Sequence, residues 1–241
     1  MSSTRKTVRN TSTGTGRQNP MVIIGLVVGI VIVGAVVVLA LTGGSNSSGP
    51  KNYSDVDQGR TEDGAFILGD PDAPITMVAF EDFLCSHCQA YKETVDRFIE
   101  DFVFTGQARF EYRFFVSIDP TVSPRAAKMT ECSDTLNPGA FWTAHDVMYE
   151  LTSSEQYSER TERKFAERLG LNYNDLLSCI PTVDQISTDR ALGSRLGAQG
   201  TPAIMVRYGD GEPDWINYQG RTYDRGAVAY DVLAAVVEAA Q

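Results

Sequence analysis

Thr76-Met77-Val78-Ala79-Phe80-Glu81-Asp82-Phe83-Leu84-Cys85-Ser86-His87-Cys88 is the stretch that decides the fold. Its first half is apolar, β-branched and aromatic, the signature of a buried strand. The run ends at a Cys-x-x-Cys pair. Tyr91, Val95, Phe98, Ile99 and Phe102 then recur at helical spacing, and Gly106 marks the stop. Cys85 therefore falls where a strand hands over to a helix N-terminus, with Cys88 one turn inside.

Free N–H groups and the positive end of a helix dipole favour an anion at that position. A thiolate is the attacking species in disulfide exchange, and each unit by which its pKa drops below ~8.5 is worth about 1.4 kcal/mol. Stabilising the reduced pair in this way makes its disulfide a stronger oxidant. His87, between the two cysteines, is placed to assist. The same pair is also half of a zinc site. Zinc takes four ligands, however, and the chain offers only Cys132, Cys179, His87 and His145 besides, with no second tight pair. The reading carried forward is redox chemistry, with no metal and no cofactor beyond the cysteine disulfide.

Charge is unevenly placed along the 241 residues. Of the 21 basic residues, Arg5, Lys6, Arg9 and Arg17 lie in 1–42, which holds no acid. The remainder sets 17 bases against all 31 acids, a net charge of −14. Such a surface repels nucleic acid, so none is expected as a partner. Residues 1–20 have no apolar pattern and read as a short cytoplasmic tail. Met21 to Leu41 is an uncharged apolar run of 21 residues, the length that crosses a bilayer. With basic residues only before it, a single-pass helix over 21–42 leaves the N-terminus in the cytoplasm and the rest outside the cell membrane. A cleavable signal peptide is the alternative, but Ala40-Leu41-Thr42 is a poor cleavage site. Residues 43–56, rich in Gly, Ser and Asn, read as a flexible tether.

Phe66 to Leu68 reads as a short strand, and Gly69 to Pro74 as the turn into the central one. Ala108 to Val116 is the next strand, giving a βαβ unit with parallel pairing. Residues 118–197 are helical throughout and read as an inserted domain. Pro124 opens a helix through Cys132. Phe141, Trp142, His145 and Met148 line another, with His145 a packed or surface residue. Phe165 to Leu177 holds one or two more, and a last begins near Asp184. From Ala203 the pattern returns to strand. Gly209-Asp210-Gly211 turns it back through Trp215 to Tyr218, and Val228, Val232, Leu233, Val236 and Val237 face one side of a terminal helix.

Three marks in this order, Phe80 to Cys88, Glu131-Cys132 through Phe141-Trp142 to His145-Asp146, and Gly200-Thr201-Pro202, carry a resemblance. The chain over 57–241 resembles the thioredoxin superfamily and, more closely, the DsbA-type extracytoplasmic thiol-disulfide oxidoreductases. The resemblance implies an α/β, thioredoxin-like fold with an inserted helical domain, here preceded by one N-terminal transmembrane helix. It implies that Cys85 is the exposed nucleophile and Cys88 the buried resolving thiol. It also implies a cis Pro202 against the cysteines, with the Thr201 backbone pairing to an extended client peptide. Only about 5–6% of X–Pro bonds are cis, so the expectation rests on the family position. The chain departs from the family at two points. The family's acidic residue six positions before the first cysteine is Ala79 here; Asp82 or Glu81, acting through water, are the only substitutes, and a proton relay is not expected. The dipeptide between the cysteines is Ser86-His87 in place of Pro-His.

Cys132 and Cys179 pair as a structural disulfide in this reading, as in similar relatives, with a second redox relay as the alternative. The function expected is a membrane-anchored oxidoreductase that introduces disulfides into exported client proteins with thiols. A quinone-linked membrane partner of the DsbB or vitamin-K-epoxide-reductase type would reoxidise it. A disulfide reductase or isomerase using the same pair, or a non-catalytic peptide-binding module on the same scaffold, are the competing functions.

Overall fold

In the computed structural model, which describes residues 51–241, the chain runs in order through strands and helices as follows. The first half comprises β1 (Gln58–Arg60), β2 (Phe66–Leu68), β3 (Ile75–Glu81), α1 (Ser86–Phe98) and β4 (Arg109–Phe114). Five helices follow: α2 (Val122–Leu136), α3 (Phe141–Ser154), α4 (Glu159–Arg168), α5 (Tyr173–Cys179) and α6 (Gln185–Arg195). The chain closes with β5 (Ala203–Tyr208), β6 (Asp214–Tyr218), β7 (Arg221–Tyr223) and α7 (Tyr230–Glu238). The strands form one sheet in the order β1-β2-β4-β3-β5-β6-β7. β3 and β4 are parallel, as a helical crossover between them requires, and the other pairings are antiparallel.

β3 is buried along its whole length. Its alternation sends side chains to two faces. Met77 and Ala79 enter the larger core with Cys88, Tyr91, Val95 and Phe98 of α1. Val78 and Phe80 enter the smaller one with Phe115, Ala203 and Met205, where Leu192 and Leu196 also pack. At Gly193 of α6 an added Cβ would lie 2.9 Å from the Phe115 ring, so the helix reaches this face only because that position lacks a side chain.

The helical insertion, α2 to α6, is fastened to the sheet by aromatic contacts. Phe141 stacks on Phe66, and Trp142 meets Phe110 with ring centres 5.5 Å apart. Fully burying a Phe contributes roughly 1.5–3 kcal/mol. A buried charge cluster adds a second fastening. Arg113 of β4 pairs with Asp189 of α6 at 2.9 Å and with Asp63 at 2.7 Å. Glu111 pairs with Arg113 and, at 2.7 Å, with Arg207 of β5. The other Asp189 oxygen accepts the Phe114 N–H at 2.9 Å. α6 is thereby registered on β4, and it leads directly into Gly200-Thr201-Pro202.

Some boundaries differ from the sequence reading. β1 and β7 are additional strands, and the strand expected over 108–116 is trimmed to Arg109–Phe114. All three residues of β1 are exposed, so it carries no apolar alternation to read. Residues 51–56, expected as the end of the 43–56 tether, belong to the compact unit instead. Tyr53 is the cause. It is 4% exposed, packs on Phe104 and Trp142, and donates its hydroxyl to Asp146 at 2.7 Å. The tail over 1–20, the transmembrane helix over 21–42 and the first part of the tether lie outside the described residues. Among the described residues no helix is long and apolar enough to cross a membrane.

Candidate active site

Between β3 and α1 the chain makes a tight turn whose shape comes from Asp82. Its backbone carbonyl accepts the Cys85 N–H at 2.9 Å, and its Oδ1 accepts the Leu84 N–H at 3.0 Å. Its Oδ2 accepts the N–H groups of Ser117 and Ile118, tying the turn to the segment after β4. Phe83 is buried in the turn with its ring edge against Tyr149. Cys85 emerges from this turn as the residue capping α1, in extended conformation.

The site gathers around that cap. Cys85 and Cys88 are free thiols. The Thr201–Pro202 peptide bond is cis. The Cys85 sulfur lies 3.3 Å from the Thr201 carbonyl oxygen, to which it donates when protonated, and the Thr201 hydroxyl lies 3.1 Å from that of Ser117. Two loops distant in sequence thus close over one sulfur. This corrects the expectation of an exposed nucleophile: Cys85 is 2% exposed, because the Thr201 segment lies across it. Cys88, one turn in, is wholly buried.

The two thiols differ in proton affinity. Cys85 is lowered to about 5, by hydrogen bonding from the Cys88 thiol first, then from Thr201 and from the N–H groups of Cys88 and His87, against an opposing desolvation. Cys88 is pushed far up by burial, with the charges of Cys85 and Glu81 adding to it. Ser86 and His87 are exposed. His87 acts on Cys85 through its backbone N–H and makes no side-chain hydrogen bond to either sulfur.

Beneath the pair lies Glu81, the last residue of β3, 1% exposed. It stands two residues from Ala79, so it projects to the same face as the position where the family carries its acid. Burial raises its carboxyl to about 7, against the Tyr149 hydroxyl and Lys92, which lower it. Asp82, the other substitute considered from sequence, has both carboxylate oxygens committed to the turn. Period-two alternation along β3 is the signal that singles out Glu81.

Beside Thr201 and Pro202 opens a cleft of about 600 Å³, lined by Gly200, Ala203, Trp215 and Arg225 among others. The indole N–H of Trp215 bonds the Leu196 carbonyl, which fixes its ring in the wall. Cys132 and Cys179 are bonded to each other across α2 and α5, with Cα atoms 5.9 Å apart. His145 is buried among Phe83, Tyr112, Phe141 and Trp142, with Nδ1 3.1 Å from Asp146. No group of three or more His, Cys, Asp or Glu able to hold a metal ion occurs among the described residues.

Comparison with known proteins agrees with this geometry. The family model described as Thioredoxin matches residues 61–210. Disulfide bond formation protein D of Bacillus subtilis is 25% identical over 152 residues, 58% of this chain and 66% of that protein. The Na(+)/H(+) antiporter NhaA 3 of Salinispora tropica is 26% identical over 144 residues, and there the match spans only 21% of the relative's length. Among solved structures, α-DsbA1 of Wolbachia pipientis superposes with a TM-score of 0.61 at 20% identity, covering 73% of this chain and 89% of that one. The chain belongs to the thioredoxin family.

Proposed function

We propose that this chain introduces disulfides into exported proteins, working from the outer side of the cell membrane. The observation that carries the reading is the Cys85 sulfur, capping a helix and 3.3 Å from the carbonyl of a cis-proline loop, with Cys88 buried behind it. A low Cys85 pKa stabilises the reduced pair, which favours the oxidant direction over reduction.

In this reading a client thiolate attacks Cys85 Sγ of the oxidised pair. The Cys85–Cys88 bond breaks, a client–Cys85 disulfide forms, and the electron pair passes to Cys88 Sγ. Glu81, protonated, gives its proton to that buried sulfur. A second client thiolate then attacks the client sulfur, and Cys85 leaves as a thiolate. The client loses two electrons and the pair gains them. An extended client segment pairs with the Thr201 backbone, displacing the thiol from that carbonyl, and its side chains reach the cleft walled by Trp215. Reoxidation returns two electrons to a quinone-linked membrane disulfide carrier of the DsbB or vitamin-K-epoxide-reductase type, with Cys88 passing its proton back to Glu81.

An extracytoplasmic setting is supported by the 21-residue apolar run preceded by basic residues. The Cys132–Cys179 bond supports it independently, since such bonds persist in oxidising compartments. Equilibrating the pair with glutathione tests the direction. The expected potential is less negative than about −200 mV, and one below about −250 mV defeats the oxidase reading. Client oxidation that survives Cys85→Ser would defeat the thiol mechanism itself.

A further inference from the structure

The helical insertion reaches the carboxyl under the redox pair. Tyr149 of α3 lies 68 residues beyond Glu81 in sequence, and its hydroxyl donates to Glu81 Oε2. The residue is 2% exposed. Glu81 Oε1 has no hydrogen-bond partner among the described residues, so the Tyr149 bond is the one the carboxyl receives there. The phenol ring is held edge-on against Phe83 at 4.8 Å and against His145, one turn back, at 5.0 Å.

Other groups face Glu81 without supplying that bond. From α1 come Cys88, Tyr91 and Lys92, with Asp96 behind them, and from the cap comes Cys85. β4 contributes the buried phenol of Tyr112, which also neighbours Tyr149. The Lys92 ammonium is engaged by Asp96 and, at 2.8 Å, by Asp146. His145 is held below its ordinary value by burial. Burial pushes the carboxyl up. A phenol donating to the ionised form opposes that.

We propose that Tyr149, supplied by the helical insertion, is the positioning residue that sets the proton affinity of Glu81 and through it the pH range in which Cys88 can shed its proton. The proposal deepens the reading of Glu81 as proton carrier and rests on it. The step it governs is the resolving one. Cys88 Sγ attacks Cys85 Sγ of a mixed disulfide, its proton passes to the Glu81 carboxylate, and the bound thiol departs as a thiolate. Without the hydroxyl, Glu81 stays protonated through neutral pH and has no room for that proton. Delivery of a proton to Cys88 in the opposite half of the cycle is unimpaired.

The test is the pH profile of that step in the full chain, with glutathione preloaded on Cys85 as the mixed disulfide and its release followed. The wild-type rate should rise with a midpoint near that of Glu81, about 7. Tyr149→Phe keeps the ring and should move the midpoint up by about one to two pH units, with the plateau at high pH retained. A fluorinated tyrosine at 149, a stronger donor of nearly the same size, should move it down. Glu81→Gln should abolish the inflection, and Tyr149→Phe added to it should change nothing further. Should Glu81→Gln keep the wild-type inflection, the proton-carrier reading fails. Should it lose the inflection while both Tyr149 variants titrate as wild type, the carrier stands and the role of Tyr149 is overturned.

Discussion

Replacing Glu81 by glutamine removes a titrating group from the core while keeping its shape, and the consequence for stability follows from its environment. Burial raises the Glu81 carboxyl from its ordinary 4.5 to about 7 in the folded protein. A raised folded value means that the stability this group allows is complete below pH 4.5 and is lost as pH climbs through 7. The interval of about 2.5 units corresponds to about 3 kcal/mol, and the side chain is fully buried, so solvent screening removes little of it. Glu81→Gln carries no such loss. Urea unfolding of both reduced proteins at a series of pH values measures the difference. The Glu81→Gln variant should gain on wild type progressively from about pH 4.5 to 7 and hold a steady lead of about 3 kcal/mol above that. The low pKa of Cys85 adds its own pH dependence to both proteins, and because its charge is one of the causes that raise Glu81, the difference between them includes that coupling. A stability difference that does not vary with pH would refute the reasoning, because Glu81 would then titrate alike in the folded and unfolded chain.

The disulfide and the buried ion cluster give further expectations. Cys132→Ala with Cys179→Ala opens a bridge spanning 47 residues and should cost up to about 4 kcal/mol by urea unfolding, with disulfide exchange at Cys85 retained. Loss of client oxidation in a folded double variant would instead point to a second relay. Asp189→Ala removes one of the three carboxylates on Arg113, with Glu111 and Asp63 remaining, and leaves the buried Phe114 N–H without its acceptor, so it should cost about 1–3 kcal/mol. An effect under about 1 kcal/mol would mean that water replaces Asp189 on the Phe114 N–H and that Asp63 and Glu111 suffice for the guanidinium.

What was legible in the sequence is what local pattern dictates. The run from Thr76 to Cys88 announces a strand, a turn and a helix because an apolar β-branched stretch and a 3.6-residue periodicity abut there. The helical insertion is readable for the same reason, since Phe141, Trp142 and Met148 share one face of α3. The strands β1 and β7 were not, being three residues each and lacking a buried face of their own. The covering of Cys85 by Thr201 joins residues 116 apart, and no spacing rule reports such a contact. Glu81 lies between these cases. Its face follows from Ala79 by simple alternation, but its depth and its bond to Tyr149 emerge only when α3 folds onto β3. The Asp82 carboxylate, equally acidic on paper, is spent on holding the turn.

The central claim is that one sulfur is kept ionised at the start of α1. The direct test is the pH dependence of Cys85 alkylation in the reduced protein, checked against thiolate absorbance and repeated in Cys85→Ser to identify the responding thiol. The midpoint should lie near 5, with Cys88 unreactive across the neutral range. A midpoint near the ordinary thiol value of about 8.5 would contradict it.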